Sequence, residues 1–337
     1  MKRTVLPFCL IVVVLLMSCG HKKRTSQEPL KPLEVGVMAT MDGLPFLVAA
    51  DKGIYDSLGL KVNFTIFLNE TDRDASFETH KLDGIVTDYT SAAVLQSKGI
   101  PLRSVMQNDC CLCLVTRVGG KMNSINQLKD INFCTSKNSF SEYAAEFVLH
   151  KAGIPLNMVN EPEINQIPLR LLMLQGGQID ATFLPDPYAS IAMNIGSHSL
   201  ITTGDLNINQ STTIFSRQTL KKKSESVKAL IKGYNLAIDY LLSHPKSDWG
   251  NVLTNQLKVP ENVIGLIALP SYRHAQAPDL GEVNKAIVWL KTKKMVKDEY
   301  TGTELVDSSY IENDNNPIQV REKIKKILKR HARRKYQ

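Results

Sequence analysis

Three aspartates, Asp42, Asp88 and Asp186, each follow a short apolar run and stand just ahead of a helix-forming stretch. Met41 precedes the first. Thr87 and Tyr89 flank the second, and Pro185 and Tyr188 stand around the third. A fourth junction of the same kind, Ser136-Lys137-Asn138-Ser139-Phe140-Ser141, gathers hydroxyls, an amide and one cation. Carboxylates, hydroxyls and the unpaired N–H groups of helix N-termini, brought to one rim, are the equipment for holding a small polar solute. The same residues also have a plainer use, because Asp88, Asp186, Ser139 and Ser141 can each cap the helix that follows. Catalytic patterns are missing: there is no H-E-x-x-H, no G-x-S-x-G and no phosphate loop. The histidines at 80, 150, 198, 244 and 274 stand singly and read as surface or packing residues.

Those loops need a scaffold that brings them together, and the apolar pattern supplies one. Leu33–Val37 reads as a strand, and a helix follows the loop at Met41-Asp42-Gly43, opened by Pro45. Lys61–Phe67 alternates Val62, Phe64 and Ile66 on one face. Further strands are expected at 84–87, 102–106, 111–117, 131–134, 158–163, 179–183, 199–202 and 212–216. Helices are expected at 72–80, 90–97, 139–151, 169–174 and 187–194. Such alternation predicts parallel α/β sheets with helices on both faces. Beyond Arg217 the pattern is helical, with Val227, Leu230, Ile231, Tyr234, Ile238, Leu241 and Leu242 at three-and-four spacing.

Asp83-Gly84-Ile85-Val86-Thr87-Asp88-Tyr89 and Asp180-Ala181-Thr182-Phe183-Leu184-Pro185-Asp186-Pro187-Tyr188 share one grammar: an acidic residue, an apolar strand, then Asp and Tyr at a helix start. One βα unit used once per lobe would aim both aspartates at a common cleft, since ligands bind beyond the carboxyl ends of parallel strands. Gly119-Gly120 and the polar run Asn207–Ser211 are the candidate crossings between lobes.

The ends of the chain speak about compartment. Lys2 and Arg3 precede a short apolar run, which ends at Leu16-Met17-Ser18-Cys19. The run is too short to span a bilayer and has the order of a lipoprotein export signal, so residues 1–18 are expected to be removed and Cys19 to carry lipid. Residues 19–32 then form a polar tether. The protein is expected to face the periplasm or cell exterior, anchored to a membrane. The formal charge of +8 is concentrated at the other end, where Arg321–Lys335 holds nine Lys or Arg against Glu322. That segment, 307–337, could meet anionic lipid headgroups or remain a solvated terminus; nucleic acid is not an expected partner. Of six cysteines, four belong to the fold: Cys110, Cys111, Cys113 and Cys134. Their spacing fits neither a paired C-x-x-C metal site nor a regular disulfide framework, and they read as packing residues with Cys113 near Cys134.

From Val35 to Val306 the chain resembles the solute-binding proteins of bacterial ABC importers in the nitrate, sulfonate, taurine and thiamine-pyrimidine group. The resemblance rests on Gly43-Leu44-Pro45-Phe46-Leu47-Val48-Ala49-Ala50-Asp51-Lys52-Gly53-Ile54-Tyr55, Gly59-Leu60-Lys61-Val62, Lys81-Leu82-Asp83-Gly84, Ser124–Asp130 and Gly177-Gln178-Ile179-Asp180-Ala181. It implies a type II periplasmic-binding-protein clamp, monomeric and without cofactor or metal, that closes over one small solute and presents it to a membrane permease. The implied hinge lies near Arg117 and Ile214, with an outer lobe of 33–117 and 213–306 and an inner lobe of 118–212. Carried over loop by loop, the solute would meet Met41, Asp42, Thr87, Asp88 and Tyr89 on one side. On the other it would meet Ser136, Asn138, Ser139, Phe140, Pro185, Asp186 and Tyr188, with Tyr272 closing the wall.

The rim shows three aspartates against Lys137 and Arg273, so a neutral or amino-bearing solute such as a thiamine-related aminopyrimidine is favoured over a nitrate- or sulfonate-like anion. Two other classes stand beside this reading. Pyrimidine synthases of thiamine biosynthesis resemble the same fold and carry a cysteine-rich motif similar to Cys110-Cys111-Leu112-Cys113, but an exported chain is remote from their cofactors. A membrane-attached protein-binding module is the third.

Overall fold

The computed structural model describes residues 29–311. The leader, Cys19, most of the tether and the basic segment after Ile311 lie outside the described residues. The described residues form nine strands: β1 Leu33–Met38, β2 Val62–Phe67, β3 Gly84–Asp88, β4 Leu102–Gln107, β5 Leu112–Thr116, β6 Phe133–Cys134, β7 Ala181–Pro185, β8 His198–Thr202 and β9 Ser211–Ser216. They make two sheets, ordered β2-β1-β3-β9-β4 and β6-β7-β5-β8, with helices packed around each. All strands of the first sheet share one direction except β9, and all of the second except β5. The two reversed strands are the ones that arrive from the opposite lobe. The expected mixed α/β clamp of two mostly parallel sheets is therefore what the chain forms.

One boundary moves. β5 was expected to end the first lobe, with the crossing after Arg117, but it pairs with β7 and β8. The first crossing is therefore Asn108–Cys111, ahead of the strand, and the return is 203–210. Residues 158–163 do not form the expected strand. Asn160 and Glu163 make only isolated bridges to Asn132 and Thr135, because Pro162 between them has no N–H to continue the ladder.

The repeated unit is present in both lobes. Asp83 precedes β3 and accepts from the N–H of Glu34 on the neighbouring β1 at 2.9 Å. Asp180 precedes β7 and accepts from the N–H of Asn132 just ahead of β6 at 3.0 Å. Each carboxylate thus ties its strand to the adjacent one, fixing the level at which the next loop leaves the sheet. Gly84 allows the sheet to close beside it, since a Cβ there would lie 2.4 Å from the Phe215 ring.

Helix Ser224–Ser243 buries Val227, Leu230, Ile231, Tyr234, Ile238 and Leu241 against helix Leu44–Asp51, where Phe46 and Tyr234 meet at 4.8 Å between ring centroids. Burying each such side chain contributes about 1.5–3 kcal/mol. Leu242 departs from the expected stripe: it is 70% exposed, one position past the last core residue. No helix of the described residues is long and apolar enough to cross a membrane.

Candidate functional site

The carboxyl ends of β1 and β3 in one lobe face those of β6 and β7 in the other, and the lobes are in contact. Met41 N–H donates to Asp186 O at 3.2 Å, and Ile167 N–H donates to Leu68 O at 3.2 Å. On the far side, Trp289 Nε1 donates to Glu146 at 2.6 Å, while Lys293 Nζ reaches Glu142 at 2.8 Å and Glu146 at 2.5 Å. The lobes also enclose a cavity of about 60 Å³, enough for about four waters on that measure. Its walls come from both lobes.

Two arginines missed by the sequence reading line this cavity. Arg73, on helix Glu70–Glu78, is 2% exposed; its Nε donates to Asp74 at 2.9 Å and Nη1 donates to Val86 O at 3.3 Å. Asp74 neutralises it locally. Arg170, on helix Ile167–Gln175 of the other lobe, is 1% exposed and makes no ion pair among the described residues. Its Nη1 donates to Ile164 O at 3.2 Å, and its Nε has no partner. Thr87 Oγ1, 4% exposed and on the same cavity, is also unpartnered. A buried guanidinium without a carboxylate is costly unless something negative completes it.

The aspartates sit differently. Asp42 lines the cavity, but its two oxygens already accept from Thr40 Oγ1 at 2.5 Å and Ser211 Oγ at 2.7 Å. Asp88 lines it too and caps helix Tyr89–Ser97, accepting from Ser91 N–H at 2.8 Å, Ser91 Oγ at 3.0 Å and the Thr90 hydroxyl. Asp186 faces a separate, wider groove and accepts from the N–H groups of Ser190 and Ala268 at 2.9 and 3.1 Å. Burial raises its pKa and outweighs those donors. Hence the cavity is not a rim of free carboxylates with few cations: two guanidinium groups stand beside three carboxylates, Asp42 and Asp88 engaged by hydroxyls and Glu70 by the Ser136 hydroxyl.

Of the other expected contacts, Thr87, Phe140 and Pro185 line the cavity, with Ser141 and the apolar Met38, Leu112, Ile167 and Phe183. Met41 and Tyr272 line the wider groove, and the Tyr272 hydroxyl donates to Met41 O at 2.6 Å. Ser136, Asn138 and Ser139 open on a third groove. Ser139 caps helix Phe140–Lys151, and Ser136 Oγ donates to Asn165 and Glu70 at 2.8 and 3.2 Å. Tyr89 and Tyr188 are buried in the cores. Lys137 is paired with Glu142 and Glu161, and Arg273 with Asp109.

The four cysteines of the fold are free thiols. Cys110, on the crossing, lines both the cavity and the wider groove, and burial pushes its pKa well up. Cys113 and Cys134 share one apolar cluster, but Cys113 Sγ contacts Ser199 Oγ at 2.9 Å.

A comparison with curated proteins finds no match. Among solved structures, the chain is similar to the ligand-binding component of an ABC-type import system from Staphylococcus aureus, described with zinc bound (13% identity, 83% of this chain and 97% of that one, TM-score 0.73). It is also similar to the alkanesulfonate-binding protein SsuA from Xanthomonas axonopodis pv. citri bound to MOPS (14% identity, 82% and 98% covered, TM-score 0.72). The periplasmic nitrate-binding protein NrtA from Synechocystis PCC 6803 aligns at 12% identity over 90% and 89% of the two chains, with a TM-score of 0.67. At such identities these likenesses establish the fold. The NMT1/THI5-like family model matches residues 41–248, more than half of the sequence, and the chain therefore belongs to the NMT1/THI5-like family.

Proposed function

We propose that this protein is an extracytoplasmic solute-binding protein that clasps a small anionic solute between its lobes and delivers it to an ABC import permease. Arg170 carries the reading: a buried guanidinium on the cleft wall with no counter-ion among the described residues and an unpaired Nε. A carboxylate, sulfonate, phosphonate or nitrate oxygen there would accept a charge-assisted hydrogen bond, and Thr87 would donate to it from the other lobe. Such a solute draws the lobes together because its partners come from both. The small cavity suits a solute of a few non-hydrogen atoms. Fold neighbours that are binding proteins of transport systems, not enzymes, support the same role. An anchor at Cys19, on a tether that ends where the fold begins, would keep the clamp beside its permease.

Thermal unfolding of the chain from Gly20 onward tests this against nitrate, taurine, alkanesulfonates, methylphosphonate, small carboxylates and thiamine-related aminopyrimidines. A solute at 100 times its dissociation constant stabilises the fold by about 2.7 kcal/mol. The expected result is a shift with a member of the anion set. A shift confined to aminopyrimidines would instead make Asp42 and Asp88 the recognising groups.

A further inference from the structure

We propose that the face at the junction of helices Arg217–Lys222 and Ser224–Ser243 docks on an anionic lipid bilayer. Both ends of the described chain leave the fold at this junction. At the N-terminal end, Lys31 Nζ donates to Lys222 O at 3.1 Å and Lys223 Nζ donates to Pro32 O at 2.9 Å. At the C-terminal end, the Tyr310 hydroxyl donates to Leu220 O at 3.2 Å and lies 3.3 Å from Ser224 Oγ. Pro29, Leu30, Lys31, Lys221 and Lys222 line one groove there.

The charge on this face is unbalanced. Lys223 is paired with Asp83 and Glu225 with Lys228, so those four cancel. Lys31, Lys221 and Lys222 are exposed and pair with no carboxylate among the described residues. In the sequence beyond the described residues, Glu28, Glu312 and Asp314 stand nearest the fold, and basic runs stand farther out, Lys22-Lys23-Arg24 upstream and Arg321–Lys335 with nine Lys or Arg downstream. Pro29 lies ten positions beyond Cys19, a reach of at most about 35 Å. If Cys19 is lipidated, this face is the part of the fold the tether keeps nearest the headgroups. The exposed lysines Lys31, Lys221 and Lys222 of this face complement a sheet of phosphates, which attracts each nearby Lys or Arg within a Debye length. The proposal is independent of which solute the cleft takes.

Co-sedimentation of the chain from Gly20 to Gln337 with phosphatidylcholine vesicles, with and without phosphatidylglycerol, reads the interaction. All strands and core clusters lie within 33–311, so that chain keeps the fold. Binding is expected only with the anionic lipid. The triple variant Lys31→Gln, Lys221→Gln, Lys222→Gln should lower the partition coefficient about fivefold per lysine, with melting temperature and solute response unchanged. A chain ending at Ile311 should still bind, more weakly. Equal binding to neutral vesicles, an unchanged triple variant, or complete loss on removing 312–337 would overturn the proposal.

Discussion

Thr87 Oγ1 and Arg170 Nε line one cavity from opposite lobes, and neither has a hydrogen-bond partner among the described residues. An unpaired buried polar atom costs about 1–3 kcal/mol, more for a charged group. A solute oxygen that satisfied both would recover that cost only with the lobes together, so solute binding and closure become one event.

Arg170→Met should raise the melting temperature of the solute-free protein, because it removes a buried charge that has no counter-ion. Replacing even a buried ion pair with apolar side chains is often stabilising, by about 1–4 kcal/mol, and an unpaired charge gives up no Coulomb partner when it is replaced. The same variant should lose the thermal shift given by solute. A solute-free variant destabilised by several kcal/mol would instead make Arg170 a structural residue.

Lys293→Met cuts the cross-lobe contacts to Glu142 and Glu146 while leaving the cavity lining intact. If those contacts hold the lobes together, solute affinity should fall about tenfold, the equivalent of one hydrogen bond to a charged group. Most of the loss should appear in the dissociation rate, which stopped-flow displacement would measure. An unchanged dissociation rate would show that the pair does not hold the lobes shut.

Glu142 gives the clamp an acid limit. Burial pushes its carboxyl up, but hydrogen bonds from Lys293, Lys137 and the Asn138 N–H pull it, on balance, below the usual range. A depressed folded pKa means stability that is complete above the unfolded value, about 4.3, and lost as pH falls through the lower folded value. Melting temperature against pH should show that acid loss, and Glu142→Gln should flatten it. An equal slope in both proteins would assign the acid limit to other carboxylates.

Cys113 and Cys134 should be slow to alkylate. Burial raises both thiols to about 11, so at about pH 8 only about one part in a thousand is the reactive thiolate. Mass spectrometry after iodoacetamide should find both labelled only on unfolding, with the same masses with or without reductant. Rapid labelling of the folded protein, or a reductant-dependent mass, would contradict this packing.

Periodicity reveals elements more readily than their partners. β3 and β7 announce themselves through Asp83 and Asp180, and both repeat units fold as their shared grammar implies. β5 is equally plain as a strand, yet its sheet is decided by pairing with Ala181–Pro185, some seventy residues later, and no local pattern reports that. Residues 158–163 have strand-like composition, but one proline turns them into isolated bridges. Arg170 was partly visible: it interrupts the apolar run Ile167-Pro168-Leu169-Arg170-Leu171-Leu172, and a lone charge in such a helix signals a buried use. Arg73 carries no such mark, since Glu70-Thr71-Asp72-Arg73-Asp74 reads as a solvated surface. Its burial comes from the β-strands it packs beneath.

Isothermal titration of wild-type protein and Arg170→Gln with the anion that gives the largest thermal shift tests the central claim. One solute per chain is expected for the wild type, with at least tenfold weaker binding for the variant, as loss of a charge-assisted hydrogen bond requires. Equal affinity in both proteins, or binding only of an uncharged or cationic solute, would contradict it.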